Sequence, residues 1–234
     1  MTHPAWPSID FQIYSSDYDT HAAFYGTKKG AEPVHVQMNQ PDRTVVMANT
    51  TQAMLRGVTV RARVTDLAGA LVTTREQTVD VPANQTVSTF QLALDPALAK
   101  GPVLVRVEAI CADGGRLSEN FYWQAAKPAD LRAMEAMPKV ALKADAQAGS
   151  AANGERTVTV ALSNPSKTPA LQAKLTLFDA KGVQVLPAYF SDNYVSLLPG
   201  EARTVTVRYP GNRGAATVRL RGWNVVEASV RGTR

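Results

Sequence analysis

The sequence predicts an all-β fold in which two tandem β-sandwiches follow a short helical segment. From Val34 onwards, apolar and polar residues alternate in short runs that turn-forming residues separate, which is the pattern of half-buried strands. The same spacing occurs twice: Arg43 precedes Asp66 by 23 positions (66 − 43), as Arg156 precedes Asp179 (179 − 156). Two sandwiches of related topology explain this repeat most simply.

The composition limits the classes of partner. The 234 residues, 45% of them apolar, suffice for two domains of ordinary size. The formal charge of +5 comes from Lys and Arg scattered singly along polar strand faces, so we expect no nucleic-acid partner. No apolar run is long enough to cross a bilayer, so we expect no membrane partner. The single cysteine excludes an intramolecular disulfide.

Residues 1–33 are predicted to form a loop with one or two helical turns and then a helix ending near Gly30. Pro33 forces Glu32 out of the helical conformation, and Gly30 offers a C-terminal cap. The segment is too short to bury its own aromatic rings, so we expect them to pack on the domain that follows. These rings belong to Trp6, Phe11, Tyr14, Tyr18, Phe24 and Tyr25.

The remainder divides into two sandwiches and a linker. Residues 34–126 contain alternating runs typical of a seven- or eight-stranded antiparallel sandwich. Residues 127–138 break the alternation between two prolines and are predicted to be a linker with a helical turn. Residues 139–234 repeat the strand rhythm of the first sandwich.

The residues that usually carry chemistry are mostly absent. His3, His21 and His35 are far apart and lack Cys or carboxylate neighbours at ligand spacing, so we expect no metal site and no cofactor. There is neither a Gly-rich phosphate loop nor a Gly-x-Ser-x-Gly elbow. Asp66 and Asp179 sit in turns, where an aspartate usually bonds its own backbone. We therefore identify no catalytic residue.

Two stretches permit a binding role. Asp192 and Asn193 form a polar turn that either satisfies backbone donors or contacts a ligand or neighbouring domain. Trp223 ends the last predicted strand, and its indole is either a packing anchor or a platform for the C–H face of a pyranose. Trp6 and Trp123 raise the same two alternatives.

Four stretches in order resemble the C-terminal third of glycoside hydrolase family 2 enzymes. The branch is that of exo-β-D-glucosaminidases, mannosylglycoprotein endo-β-mannosidases and related β-mannosidases. The stretches are Phe-Tyr-Gly-x-Lys-Lys-x-Ala-Glu-Pro-Val-His-Val-Gln at 24–37, Glu-Asn-Phe-Tyr-Trp at 119–123, Ser-Asp-Asn-Tyr-x-Ser-Leu-x-Pro-Gly-Glu at 191–201 and Arg-Gly-Trp-Asn at 221–224.

The resemblance implies a domain organisation. Residues 1–33 would be the last loop and helix of a catalytic (β/α)8 barrel, and residues 34–126 and 139–234 would be two immunoglobulin-like β-sandwiches joined by the linker 127–138. Family members cleave β-glycosidic bonds with retention, using two barrel carboxylates. No residue of this chain matches those carboxylates, which would lie upstream.

The resemblance also implies a function. The chain would form non-catalytic accessory domains of a retaining β-glycosidase, inactive by themselves, whose partners are its own upstream barrel and a carbohydrate substrate. A β-mannosidase is the first choice of parent; the alternatives are an exo-β-D-glucosaminidase and an autonomous carbohydrate-binding module. Trp6, Asp192, Asn193 and Trp223 are the residues expected near a substrate. A periplasmic or secreted parent is expected from such substrates.

Overall fold

The computed structural model describes residues 13–149, 153–214 and 217–231, in which strands predominate (51% strand, 12% helix). The chain forms two compact units. One unit is Lys28–Met137, and the other combines the N-terminal segment up to Thr27 with Pro138–Arg234. Trp6 and Phe11 lie outside the described residues.

The unit Lys28–Met137 contains the first sandwich. A three-stranded sheet of order β1-β2-β5 faces a four-stranded sheet of order β4-β3-β6-β7, all antiparallel. The strands are Val34–Met38 (β1), Thr44–Asn49 (β2), Leu55–Asp66 (β3), Leu71–Val81 (β4), Gln85–Gln91 (β5), Val103–Ile110 (β6) and Arg116–Gln124 (β7). Alternate residues such as Val58, Val60, Ala62 and Val64 point into one apolar core, as the alternation predicts.

Helical turns flank this sandwich. A short helix, Asp95–Leu98 (α2), connects β5 to β6. After β7, Pro128–Ala136 forms a 3₁₀ helix in the predicted linker, and it buries Met134. The helical turn predicted between the two prolines is therefore confirmed.

The second sandwich is built from residues after Pro138. Its sheets have the orders β11-β13-β9-β8 and β12-β10-β14-β15. The strands are Lys143–Ala148 (β8), Glu155–Ser163 (β9), Ala170–Phe178 (β10), Tyr189–Phe190 (β11), Val195–Leu197 (β12), Ala202–Pro210 (β13), Thr217–Arg221 (β14) and Ala228–Arg231 (β15). A 3₁₀ turn, Gly211–Arg213, follows β13. Both sheets contribute to a single apolar core, as in the first sandwich.

The two turn aspartates have the structural role that the sequence predicts. Asp66 Oδ1 accepts a hydrogen bond of 2.8 Å from the backbone N–H of Ala70. Asp179 Oδ1 accepts bonds of 2.9 Å from the backbone N–H groups of Lys181 and Val183. Both carboxylates thus close their own turns.

The N-terminal segment departs in part from its prediction. The helix α1, Ala22–Gly30, ends at Gly30 as expected. Between residue 13, where the described structure begins, and α1, the predicted helical turns are not formed, because a tight loop closed by the Tyr14–Thr20 bridge lies there; the part of the prediction before residue 13 lies outside the described residues. Asp17 Oδ1 accepts bonds from the Ser15 hydroxyl and from a later backbone N–H, and Tyr18 adopts a positive φ of 69°. Local side-chain bonds of this kind compete with a helix.

Candidate functional site

The polar turn before β12 is fixed to the neighbouring strand by Asn193. The side-chain oxygen of Asn193 accepts from the backbone N–H of Leu175 at 2.7 Å, and its amide donates to the Leu175 carbonyl at 2.9 Å. Asp192 Oδ1 accepts from the backbone N–H of Asn193 at 2.9 Å. Both side chains therefore satisfy backbone groups, as the structural interpretation of this turn predicts.

The turn presents Tyr194, on which the N-terminal segment packs. Asn193 Oδ1 also accepts from the Tyr194 backbone N–H at 2.9 Å, and Tyr194 adopts a φ of 53°. Its ring centroid lies 6.1 Å from that of Tyr25, which is buried in α1. The rings of residues 1–33 were expected to pack on the sandwich that follows in the chain. For Tyr25 this is wrong, because its ring contacts the second sandwich.

An ion pair completes the contact. Lys174 Nζ on β10 donates to Asp19 Oδ2 at 3.1 Å and lies 5.4 Å from the centre of the Tyr194 ring. A 2.8 Å hydrogen bond joins the hydroxyls of Thr20 and Tyr25. We call this set the N-terminal docking site. It consists of Asp19, Thr20, Tyr25, Lys174, Asn193 and Tyr194.

The environment keeps Tyr25 and Lys174 in their ordinary protonation states. Burial raises the pKa of Tyr25 and outweighs its hydrogen bonds with Thr20 and Asn193. Burial opposes the charge of Lys174, but its hydrogen bond with Tyr194 and the Asp19 carboxylate outweigh that cost and raise the pKa of the ammonium group. A protonated tyrosine and a charged lysine hold a contact together and offer no base near neutral pH.

Trp223 has a fixed backbone and a partly exposed indole. Its backbone N–H donates to the Leu171 carbonyl at 3.0 Å, and its own carbonyl accepts from Lys139 Nζ at 2.9 Å. The side chain is 45% exposed. The preceding Gly222 permits this approach, because a Cβ there would lie 2.8 Å from the Leu171 carbonyl oxygen.

The structure separates the candidate residues from one another. Asn193 bonds to Leu175, and Trp223 bonds to Leu171, four residues earlier on β10. Asn193 belongs to the N-terminal docking site and Asp192 precedes it in the same turn, whereas Trp223 is not part of that site. Trp6 lies outside the described residues. Proximity of these residues to a substrate stays a prediction.

The sequence reasoning overlooked Asn224, next to Trp223. Asn224 is buried, its amide donates to the carbonyls of Pro169 (2.8 Å) and Pro138 (3.1 Å), and its oxygen accepts from the Leu171 N–H (2.9 Å). An Asn directly after a strand, as in the Arg-Gly-Trp-Asn stretch, is a sequence signal for such backbone bonds, because its side-chain amide both donates and accepts hydrogen bonds.

Buried charges in the first sandwich were also overlooked. Arg106 and Glu119 are both buried, and Arg106 Nη1 lies 3.2 Å from Glu119 Oε2. Glu119 also receives Arg116 Nη1 at 2.9 Å and Lys29 Nζ at 3.6 Å. The alternation of apolar and polar residues along β6 and β7 places Arg106 and Glu119 on the face away from the core. The sequence pattern therefore does not predict their burial.

A Ser, a His and a Glu meet near β1 without forming a catalytic triad. The Ser118 hydroxyl donates to Glu32 Oε2 at 2.7 Å and accepts from the Val36 N–H at 3.2 Å. His35 Nε2 faces the Asn120 amide at 3.2 Å rather than the serine. In a Ser-His-acid triad the serine hydroxyl bonds to the imidazole, whereas the Ser118 hydroxyl donates directly to the Glu32 carboxylate.

The described ranges contain neither a candidate metal site nor a candidate membrane-spanning helix. No group of three or more His, Cys, Asp or Glu side chains there is arranged to hold a metal ion. Among the helices of the same ranges, none is long and apolar enough to span a bilayer.

Comparisons with known proteins assign a family model to each sandwich. Residues 43–126 match the model "Mannosidase Ig/CBM-like domain", and residues 120–225 match "Exo-beta-D-glucosaminidase Ig-fold domain".

Similar proteins carry related names. An exo-β-D-glucosaminidase of Streptomyces avermitilis is 32% identical over 98% of this chain and 28% of its own length. A mannosylglycoprotein endo-β-mannosidase of Lilium longiflorum is 24% identical over 97% of this chain and 30% of its length. The crystal structure of the Amycolatopsis orientalis exo-chitosanase CsxA superposes with a TM-score of 0.89 at 27% identity, covering 98% of this chain and 30% of that one. The chain thus spans less than a third of the length of these relatives.

Proposed function

We propose a function from the family: the two sandwiches of this chain belong to the immunoglobulin-like domains of glycoside hydrolase family 2. They serve as non-catalytic accessory domains of a longer retaining β-glycosidase. The observation that carries this proposal is the coverage. The alignment includes 98% of this chain but only 28% of the Streptomyces relative. We infer that catalytic carboxylates lie in an upstream barrel and assign no catalytic residue here.

The comparisons change the order of the candidate sugars. Resemblance alone favoured a β-mannosidase, whereas the exo-β-D-glucosaminidase reaches 32% identity and the endo-β-mannosidase 24%. A β-D-mannosidase of Dictyoglomus thermophilum, at 16% identity and a TM-score of 0.67, supports the fold alone. We therefore propose an exo-β-D-glucosaminidase as the parent and keep the β-mannosidase as the second candidate.

Within the parent, we assign residues 1–33 to the end of the catalytic barrel, 34–126 and 139–234 to the sandwiches and 127–138 to their linker. The N-terminal docking site gives this assignment a mechanical role. Because Tyr25 and Asp19 contact Tyr194 and Lys174, the second sandwich would hold the last barrel helix and the loop before it. Barrel active sites lie at the ends of the strands that such loops follow.

Direct sugar binding remains a second candidate function. It would use Trp223, whose indole is partly exposed. The turn with Asp192 and Asn193 is less suited, because Asn193 is buried and both side chains already bond to backbone groups. A periplasmic or secreted location stays a proposal that follows from the substrates.

Hydrolysis assays test the proposed function. The chain alone and a full-length parent are compared on p-nitrophenyl β-glucosaminide and β-mannoside. We expect activity in the parent only, with β-glucosaminide the better substrate. Activity of the isolated chain would contradict the accessory role. A preference of the parent for β-mannoside would favour a β-mannosidase over an exo-β-D-glucosaminidase. In the parent, Lys174→Met is expected to lower kcat/KM, while Lys143→Met, at an exposed position of β8, is the matched control.

A further inference from the structure

A polar cleft of about 620 Å³ lies at one edge of the first sandwich. This volume falls within the usual range of small-molecule sites. The cleft is formed by the turn between β1 and β2, by Arg75 of β4 and by the residues that follow β5. Its lining is Pro41, Asp42, Arg43, Arg75, Gln91, Leu92, Ala93 and Asp95.

The cleft exists because β4 extends beyond the edge of the opposing three-stranded sheet. The pairing of β4 with β3 puts Thr73, Arg75, Gln77 and Val79 opposite core residues, on the inner face of the sheet. Val79 is half-buried there, whereas Thr73, Arg75 and Gln77 are exposed. The opposing sheet has three strands against four. In a closed sandwich, apolar residues fill the inner face of each sheet. On this part of β4, the inner face is instead open to solvent and polar.

Hydrogen bonds hold the far side of the cleft in place. Arg43 Nη1 donates to Asp95 Oδ1 at 2.6 Å, and Gln91 Nε2 donates to the Asp42 carbonyl at 2.6 Å. The Asp42 carboxylate accepts from the Thr44 N–H at 3.0 Å, which lowers its pKa and keeps it ionised. These bonds fix the positions of groups that can still accept further partners.

Arg75 supplies the opposite wall. Its guanidinium lies 5.5 Å from the centre of the Phe90 ring, and Nη1 donates to the Gln91 carbonyl at 3.3 Å. A guanidinium has five donors, so most remain for a ligand. Asp95 accepts from Arg43 through one oxygen and is 84% exposed on its side chain. Donors and acceptors therefore face the same opening.

This arrangement suits hydroxyl groups. Each sugar hydroxyl both donates and accepts, so adjacent hydroxyls match a guanidinium on one side and a carboxylate on the other. Two arginines and two aspartates balance in charge, which favours neither a phosphate nor a polycation on charge alone. The sandwich also matches a family described as carbohydrate-binding-module-like. We propose that the cleft between Arg75 and the β1–β2 turn is a saccharide-binding site.

Binding measurements on the intact 234-residue chain test this proposal. The chain is titrated with a β-1,4-linked glucosamine trimer and with β-1,4-mannotriose by calorimetry, and the shifted amides are mapped by NMR. We expect saturable binding of at least one trimer, with amide shifts at 42–43, 75 and 91–95. Arg75→Ala and Asp95→Asn should each weaken binding about tenfold, the loss expected for a hydrogen bond to a charged group.

Arg56→Ala is the matched control, because Arg56 is an exposed arginine on β3 outside the cleft. Circular dichroism confirms that each variant is folded. Failure of both trimers to bind would overturn the proposal, as would unchanged affinity in the Arg75 and Asp95 variants. An equal loss in Arg56→Ala would indicate non-specific charge attraction, and a loss confined to Trp223→Ala would place the sugar elsewhere. None of these outcomes depends on the hydrolysis assay of the parent.

Discussion

Asn49 and Asn164 make the same hydrogen bonds at equivalent points of the two sandwiches. Each side-chain oxygen accepts from the backbone N–H and the hydroxyl of the residue two positions later, Thr51 or Ser166, at 2.7 to 3.0 Å. Each amide donates to the carbonyl four positions later and to a carbonyl of the opposing sheet, that of Val81 or Leu197. Within the repeat seen in the sequence, each sandwich thus contains one such buried asparagine turn.

Replacing either asparagine with alanine should destabilise the sandwich that contains it. The change leaves several buried backbone and hydroxyl groups without partners, and we expect a loss of about 2 to 4 kcal/mol in unfolding free energy. Urea unfolding of Asn49→Ala and Asn164→Ala measures it. Gln147→Ala, at an exposed position of β8, should change stability little. Equal stability of all three variants would contradict the role of the turn.

Removing Glu119 should be among the most damaging changes in the first sandwich. Glu119→Ala leaves Arg106 buried without its carboxylate, which typically costs about 3 to 5 kcal/mol. Guanidinium chloride unfolding provides the measurement. The exposed pair of Arg61 and Glu76 is the control, because Glu76→Ala should cost less than about 1 kcal/mol. Similar losses in both variants would mean that Glu119 is better solvated than the structure indicates.

The Lys174–Asp19 pair should anchor the N-terminal segment. We expect Lys174→Met to weaken docking by about 1 kcal/mol, which is roughly a fivefold increase in the undocked population. Thermolysin cleavage before α1 should accelerate by that factor. Asp19→Asn should add little to Lys174→Met, since the pair is already broken. Fully additive effects would show that the two side chains act independently.

Alkaline pH should weaken the same contact. The pKa of Tyr25 is raised above 10.0 by burial, and that of Lys174 is raised above 10.5. Above the ordinary values, the unfolded chain loses protons that the folded chain retains, so stability present below about pH 10 is lost as pH rises. Tyr25→Phe should reduce this loss in unfolding experiments between pH 8 and about pH 11, and the exposed Tyr189→Phe should not. An unchanged pH profile in Tyr25→Phe would oppose this assignment.

Gly222 should not tolerate a side chain. A Cβ would lie 2.8 and 2.9 Å from the carbonyl oxygens of Leu171 and Gln172, which belong to a strand and cannot easily move. We expect Gly222→Ala to cost about 2 kcal/mol or more, observed as a lower Tm. Gly26 lies in α1 with no atom within 4 Å of its virtual Cβ. Gly26→Ala should therefore be neutral or stabilising by up to about 1 kcal/mol.

The sequence predicts features that depend on neighbours along the chain. Alternation locates strands such as β3, and the end of α1 follows from Gly30 and Pro33. The partner of Tyr25 has no such signal, because Tyr194 is distant in sequence and no periodicity links them. Arg106 occupies an outward position in the alternation, and its burial depends on long-range packing. Trp6, one of the four residues expected near a substrate, lies outside the described residues.

The union of the N-terminal segment with the second sandwich has a consequence for synthesis. Tyr25 leaves the ribosome 169 residues (194 − 25) before Tyr194. At about 5 to 20 residues per second, this interval lasts on the order of 10 s or more. During that time the first sandwich can fold, while Tyr25 lacks its contact with Tyr194. A nascent chain stalled before Tyr194 should therefore expose this segment to chaperones, and completion of the second sandwich should release it.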